Sequence, residues 1–257
     1  MPSNYYNPIR RRNLYSPESK KPYRISRSKI ENFIHCPRCF YLDRRLGVNE
    51  PQGYPFNLNK AVDTLLKKEF DVNRALGVAH PLMTHYGIDA VPFAHKKLDE
   101  WRENFKGICA LHATTNLFVC GAVDDIWKGS DGSLIVVDYK ATAKEGPVSL
   151  DAPWQDSYKR QMEIYQWLLR QNGFVVSETG YFVYVNGRAD REAFDGRIEC
   201  DISILPYRGK DDWIAGTLAC IKQTLDSDIL PTANDACDYC AYRTAAADAI
   251  RNLEEKR

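Results

Sequence analysis

Apolar residues recur at helical spacing in the first part of the chain and at strand spacing in the middle. From Ser26 or Ser28 the pattern predicts a helix running into His35-Cys36-Pro37-Arg38-Cys39, with Ser28 and Glu31 spaced as a capping box. Residues 52–55, Gln-Gly-Tyr-Pro, read as a loop. A second helix over 58–73 places Ala61, Val62, Leu65, Leu66 and Phe70 on one face, and a third over 95–105 carries Leu98, Trp101 and Phe105. Branched and aromatic residues over 116–127 then predict a strand, and Gly129-Ser130-Asp131-Gly132 a hairpin turn. The apolar run Leu134-Ile135-Val136-Val137 leads to Asp138-Tyr139-Lys140 and suits a strand buried on both faces. A helix over 156–171 stops at Asn172-Gly173. Strands over 181–185 and 198–204 and a helix over 211–225 follow. This order predicts an α/β fold, a central mixed β-sheet flanked by helices.

Residues 1–25 are polar, with Pro2, Pro8, Pro17 and Pro22, and read as a basic flexible arm. Residues 26–245 read as a single domain and 246–257 as a tail. The net charge is only +1, yet residues 10–45 hold eleven Lys and Arg against Glu18, Glu31 and Asp43. With Tyr5, Tyr6, Tyr15 and Tyr23 interleaved, that stretch suits a phosphate backbone and exposed bases; it equally suits a solvated tail. No apolar run approaches the roughly 20 residues of a membrane helix, and the first residues lack an apolar leader. The expectation is a cytoplasmic protein without a membrane partner, its eight cysteines reduced or bound to metal.

Asp138 and Lys140 stand two apart on a strand, so they share one face while Tyr139 points away. The preceding hairpin strand carries Asp124 and Asp125. Two carboxylates and an ammonium can thus converge on a site for a hard divalent cation, Mg²⁺ or Mn²⁺. Asp125 is the weaker of its pair, because it falls on the other face. The bland alternative is an exposed Asp–Lys pair at a strand end.

Gly121-Ala122-Val123-Asp124, then Val137-Asp138-Tyr139-Lys140, then Gln161-Met162-Glu163-Ile164-Tyr165 on a helix, resembles the RecB-type branch of the PD-(D/E)XK nuclease superfamily. Residues 28–38 look like the opening helix of the same branch, which includes the CRISPR adaptation exonucleases. The resemblance implies a restriction-endonuclease-like core and metal-dependent cleavage of DNA, by exo- or endonucleolytic attack. Asp124, Asp138 and the main-chain carbonyl of Tyr139 would be metal ligands, Lys140 the catalytic lysine, and Gln161 and Tyr165 supports of the site or strand. A helicase or other DNA-processing protein is a conceivable partner. The family often places a histidine on the helix before the hairpin. Asp63 stands there instead, either as a replacement ligand or as a polar residue on an amphipathic helix. His80 and His85 are candidate substitutes, or ordinary loop histidines. The changed ligand leaves an alternative from another class: a nuclease-fold module that binds nucleic acid without cutting it.

Cys36-x-x-Cys39 and Cys237-x-x-Cys240 can each offer two thiolates to one metal centre. The resembling branch often carries an iron–sulfur cluster, with one N-terminal and three C-terminal cysteines. Two and two leaves Zn²⁺ and a 4Fe-4S cluster both open. Either would join the N- and C-terminal segments. Cys109, Cys120, Cys200 and Cys220 read as small buried residues. Trp154, Trp167, Trp213 and Tyr184 read as core or groove wall.

Overall fold

The computed structural model describes residues 9–51, 53 and 56–256. Tyr5, Tyr6, Gln52, Tyr54 and Pro55 lie outside them. The elements in chain order are β1 (Tyr23–Ser26), α1 (Arg27–His35), α2 (Pro37–Arg44), α3 (Asn57–Leu76), α4 (Pro81–His85), β2 (Ala90–Pro92), α5 (Leu98–Arg102), β3 (Ile108–His112) and β4 (Leu117–Gly121). They continue with β5 (Asp125–Gly129), β6 (Leu134–Thr142), a 3-10 turn (Pro153–Gln155), α6 (Asp156–Gln171), β7 (Thr179–Gly187), β8 (Cys200–Arg208), α7 (Asp212–Asp226) and α8 (Asp238–Glu254). Among the described residues no helix is long and apolar enough to cross a membrane. The chain divides into two compact units. One comprises residues 55–110 and 120–212, the other residues 1–54, 111–119 and 213–257.

The first of these holds a mixed sheet in the order β2-β5-β6-β7-β8. β6 and β7 run parallel, with Asp138 opposite Phe182 and Lys140 opposite Tyr184; the other pairings are antiparallel. β6 is central, which explains its unbroken apolar run: Val136 and Val137 are wholly buried, one facing each side. On one face, Leu66 and Phe70 of α3 pack on Trp127, Ile135, Val137, Tyr139 and Val183. Burying side chains of this size contributes about 1.5–3 kcal/mol each.

α6 spans the residues its periodicity predicts and ends before Gly173, whose φ of 86° suits glycine. Gly121 is required for a different reason. A Cβ there would lie 2.6 Å from Cε1 of Tyr165, so only glycine lets the end of β4 meet α6.

β1 joins a three-stranded sheet in the order β1-β4-β3. The expected arm is not free over its described part. Ile9 bridges Val48, and Tyr15, Tyr23 and Ile25 are buried. Arg10, Lys29 and Arg44 all pair with Asp43, which is 2% exposed. Three apolar residues and one buried carboxylate thus turn a basic, proline-bearing segment into ordered structure.

Other expectations shift for local reasons. α1 begins at Arg27, so Ser28 is inside the helix and cannot cap it; its hydroxyl meets that of Ser26 at 2.9 Å instead. α5 ends at Arg102 because Glu103 turns extended, and Phe105 is exposed. The strand expected over 116–127 breaks at residues 122–124 into β4 and β5. On α3, Leu66 and Phe70 face inward but Leu65 is exposed. α8 continues to Glu254, through most of the expected tail.

Candidate active site and four-cysteine centre

β6 presents Asp138 and Lys140 on one face, and their carboxylate and ammonium form an ion pair. Asp138 is wholly buried, and Gln161 Nε2 donates to its Oδ1 at 2.8 Å. The same Nε2 meets the Tyr165 hydroxyl at 3.1 Å, one helical turn along α6. Asp124 lies in the bend before β5, where its Oδ2 accepts the Tyr139 N–H at 3.0 Å. The hairpin therefore brings Asp124 to the backbone between Asp138 and Lys140.

Asp63 approaches from α3. Lys67, one turn further on, stands 2.8 Å from Asp63 Oδ1 and 3.5 Å from Asp124 Oδ1. One ammonium is thus shared by these two carboxylates. Burial raises the pKa of Asp63; Lys67 opposes the rise and Asp124 adds to it. At Lys140 burial works against the charged form, but Asp138 and Asp124 outweigh it and the pKa is raised. Lys140 stays an ammonium. Its Nζ lies 4.5 Å from the ring centre of Tyr158 on α6.

The opposite face of the hairpin holds a buried charge network. Asp125 takes Arg74 at 2.5 Å, Arg102 at 2.8 Å and the Tyr139 hydroxyl at 2.7 Å. Asp71 ties the two guanidinium groups together. Asp124 and Asp125 therefore have different partners: one meets Lys67 and the Tyr139 N–H, the other Arg74, Arg102 and the Tyr139 hydroxyl. Neither histidine joins the carboxylates. His80 stacks on Phe70, bonds Glu69 at 2.9 Å and accepts the Leu82 N–H, which makes it a cap of α4. His85 packs against Tyr86.

Asp63, Asp124 and Asp138 are all-oxygen donors, and two of them already share a cation in Lys67. Oxygen donors of this kind suit a hard divalent ion, but among the described residues only the four cysteines lie close enough together to hold a metal as they stand. Lys67, Tyr158, Arg74 and Arg102 were not singled out by the sequence. Lys67 has a trace there, since it lies four residues after Asp63 on the same helix face.

The four paired cysteines gather in the other unit. Cys36 precedes α2 and Cys237 precedes α8, while Cys39 and Cys240 lie in the first turns. Helix N-termini favour thiolates. Sulfur separations are 3.8 Å for Cys36–Cys240, 3.6 Å for Cys39–Cys237 and 3.5 Å for Cys39–Cys240, and all four lie within 4.8 Å of one another. These are free thiols in position to bind a metal. Burial works against a thiolate at Cys36, yet backbone N–H groups around Asn234 and Cys39, with the thiols of Cys237 and Cys39, bring it down to about 7. Burial pushes Cys39 and Cys240 up.

The other cysteines depart from expectation. Cys109 and Cys120 form a disulfide, because the β3–β4 hairpin sets their Cα atoms 4.1 Å apart. Cys200 and Cys220 are exposed. Of the two readings of Trp154, core or groove wall, its 61% exposure excludes the first.

A sheet hairpin thus sets one aspartate beside an Asp-x-Lys strand, and Gln-x-x-x-Tyr on the next helix braces it. The chain belongs to the PD-(D/E)XK nuclease superfamily, whose model matches residues 24–245. Members of this superfamily are generally nucleases and usually use divalent metals, so the fold implies a nucleic-acid partner. No curated protein matches the chain. A solved structure titled "Crystal structure of SSO0001" is similar at 17% identity and a TM-score of 0.41, covering 88% of this chain and 87% of that one. At that level the likeness carries no argument about function.

Proposed function

We propose that this chain hydrolyses phosphodiester bonds in DNA with Mg²⁺ or Mn²⁺. The observation that carries the reading is the convergence of Asp124, Asp138 and Lys140, with Gln161 fixing Asp138 from α6. Asp124, Asp138 and the Tyr139 carbonyl would hold the ion, with Asp63 in the place of a histidine ligand. When bound, it supplies charge neutralisation at the phosphate and a more acidic water. Lys140 contributes what the chain itself can do. Its ammonium is kept charged by Asp138 and Asp124, and it orients the attacking water or stabilises charge growing on the phosphate oxygens. Gln161 and Tyr165 keep Asp138 in one rotamer.

One observation favours a second reading. Lys67 sits between Asp63 and Asp124, where an ammonium can stand in for a metal. On that reading the module binds nucleic acid and does not cut it. Incubating the purified protein with end-labelled single- and double-stranded DNA and RNA, in Mg²⁺, in Mn²⁺ and in EDTA, separates the two. Fragments formed only with metal support hydrolysis; retained but intact DNA supports the binding module.

For the four cysteines we propose a single Zn²⁺. A tetrahedral ion with Zn–S bonds of about 2.3 Å sets its sulfurs about 3.8 Å apart. Three separations of 3.5–3.8 Å, with all four sulfurs within 4.8 Å of one another, support that fit. A 4Fe-4S cubane binds each thiolate to a different iron and so needs a wider frame.

A further inference from the structure

Beside Lys140 lies an aromatic pair that the proposed chemistry leaves unused. Trp154 and Tyr158 meet edge to face, with ring centres 5.4 Å apart and planes at 88°. Tyr158 in turn has the Lys140 ammonium 4.5 Å from its ring centre. The indole is therefore next but one to the charge that would face a scissile phosphate.

The indole is exposed, but its backbone is fixed. Pro153 precedes it in the 3-10 turn. Gln155, 6% exposed, donates to the Ser149 carbonyl at 2.6 Å and to the Tyr184 hydroxyl at 3.2 Å, and accepts the Ala152 N–H. The Trp154 carbonyl accepts the Ser157 hydroxyl at 2.9 Å. A large apolar ring held rigidly in water, one residue from a buried anchor, is what stacking on a flat ligand needs. Every nucleic-acid base offers such a face, but only where it is unpaired or terminal.

We propose that Trp154, backed by Tyr158, is a stacking platform for an unpaired base next to the scissile phosphate, which makes single-stranded DNA or a frayed end the preferred substrate. The proposal rests on the nuclease reading for its scissile phosphate. The platform itself, however, is a binding site and can be tested separately. The exposure of Trp154 makes its replacement tolerable to the fold, which circular dichroism and a melting curve verify.

The test uses single-stranded oligonucleotides carrying 2-aminopurine, bound in Ca²⁺ to the full-length protein, and the same strands cut in Mn²⁺ alongside blunt duplex. Stacking on one aromatic is worth about 1–3 kcal/mol. Trp154→Ala should therefore weaken single-strand binding and cleavage by about 5- to 150-fold, abolish the 2-aminopurine quench, and change blunt-duplex cleavage far less. Trp154→Phe should recover much of the loss. If the parent quenches 2-aminopurine but cuts nothing, the platform stands and the nuclease reading fails. If the parent cuts and Trp154→Ala binds and cuts single strands equally well, the platform is overturned and the nuclease reading stands. A parent that gives no quench also overturns the platform.

Discussion

Gln161 donates its side-chain amide to Asp138 at 2.8 Å, from a helix to the buried centre of the sheet. The carboxylate it holds is wholly buried, so its orientation depends on few partners. Outer partners of this kind typically change metal affinity or activity by about 10- to 100-fold when removed. Gln161→Ala should lower kcat by that amount while circular dichroism stays parental. Metal titration should show weaker binding in the same variant. Parental kinetics would mean that Asp138 needs no such support.

Lys67 should compete with the divalent ion for Asp63 and Asp124. Half-exposed pairs of this kind are worth about 0.2–1 kcal/mol. Lys67→Met is expected to tighten Mn²⁺ binding up to about fivefold in calorimetry, and Asp63→Ala to weaken it. Unchanged affinity in both variants would place the ion away from α3.

Metal held by the four cysteines contributes to folding directly. Cys237→Ser should lower the melting temperature and reduce bound zinc from one equivalent, while Mn²⁺ titration of the carboxylate site stays parental. Elemental analysis and a visible spectrum check the metal. Iron with visible absorption would contradict the single Zn²⁺.

Asp43 gives a pH signature. Burial pushes its pKa up, but Lys29, Arg44 and Arg10 outweigh that and leave it lowered. A lowered folded pKa means stability that is fully present above the unfolded value of about 3.9 and lost as pH falls through the folded one. Asp43→Asn should cost about 3–5 kcal/mol near neutral pH, as breaking a buried pair does. The gap between parent and variant in urea unfolding should narrow as pH falls below about 4 and through the lowered folded value. A gap that stays constant with pH would remove the ionic explanation.

The shared face of Asp138 and Lys140 was legible because strand alternation is a local rule. Asp138, Tyr139 and Lys140 alternate as the sequence requires, and Gln161 and Tyr165 share a helix face at a spacing of four. Asp125 likewise fell on the far side, although its two arginine partners come from α3 and α5 and left no local trace. Lys67 looked like one more charge on an amphipathic helix, because only the fold sets it beside Asp124. The order of residues 9–25 was hidden for a similar reason. Asp43, the residue that neutralises the basic segment, lies on a different element. The Cys109–Cys120 disulfide depends on the β3–β4 hairpin, which the sequence reading missed. Tyr158 gained its meaning only when α6 carried it over Lys140.

The central claim is that Asp138 and Lys140 carry phosphodiester hydrolysis. Single-turnover cleavage of labelled single-stranded DNA in Mn²⁺ by the parent, Asp138→Asn and Lys140→Ala tests it directly, with Mn²⁺ affinity measured on each. The expected result is cleavage by the parent and a loss of about a hundredfold or more in both variants. Lys140→Ala should keep its Mn²⁺ affinity and Asp138→Asn should lose it, since lysine is not a ligand. Cleavage at the parental rate by both variants would contradict the account.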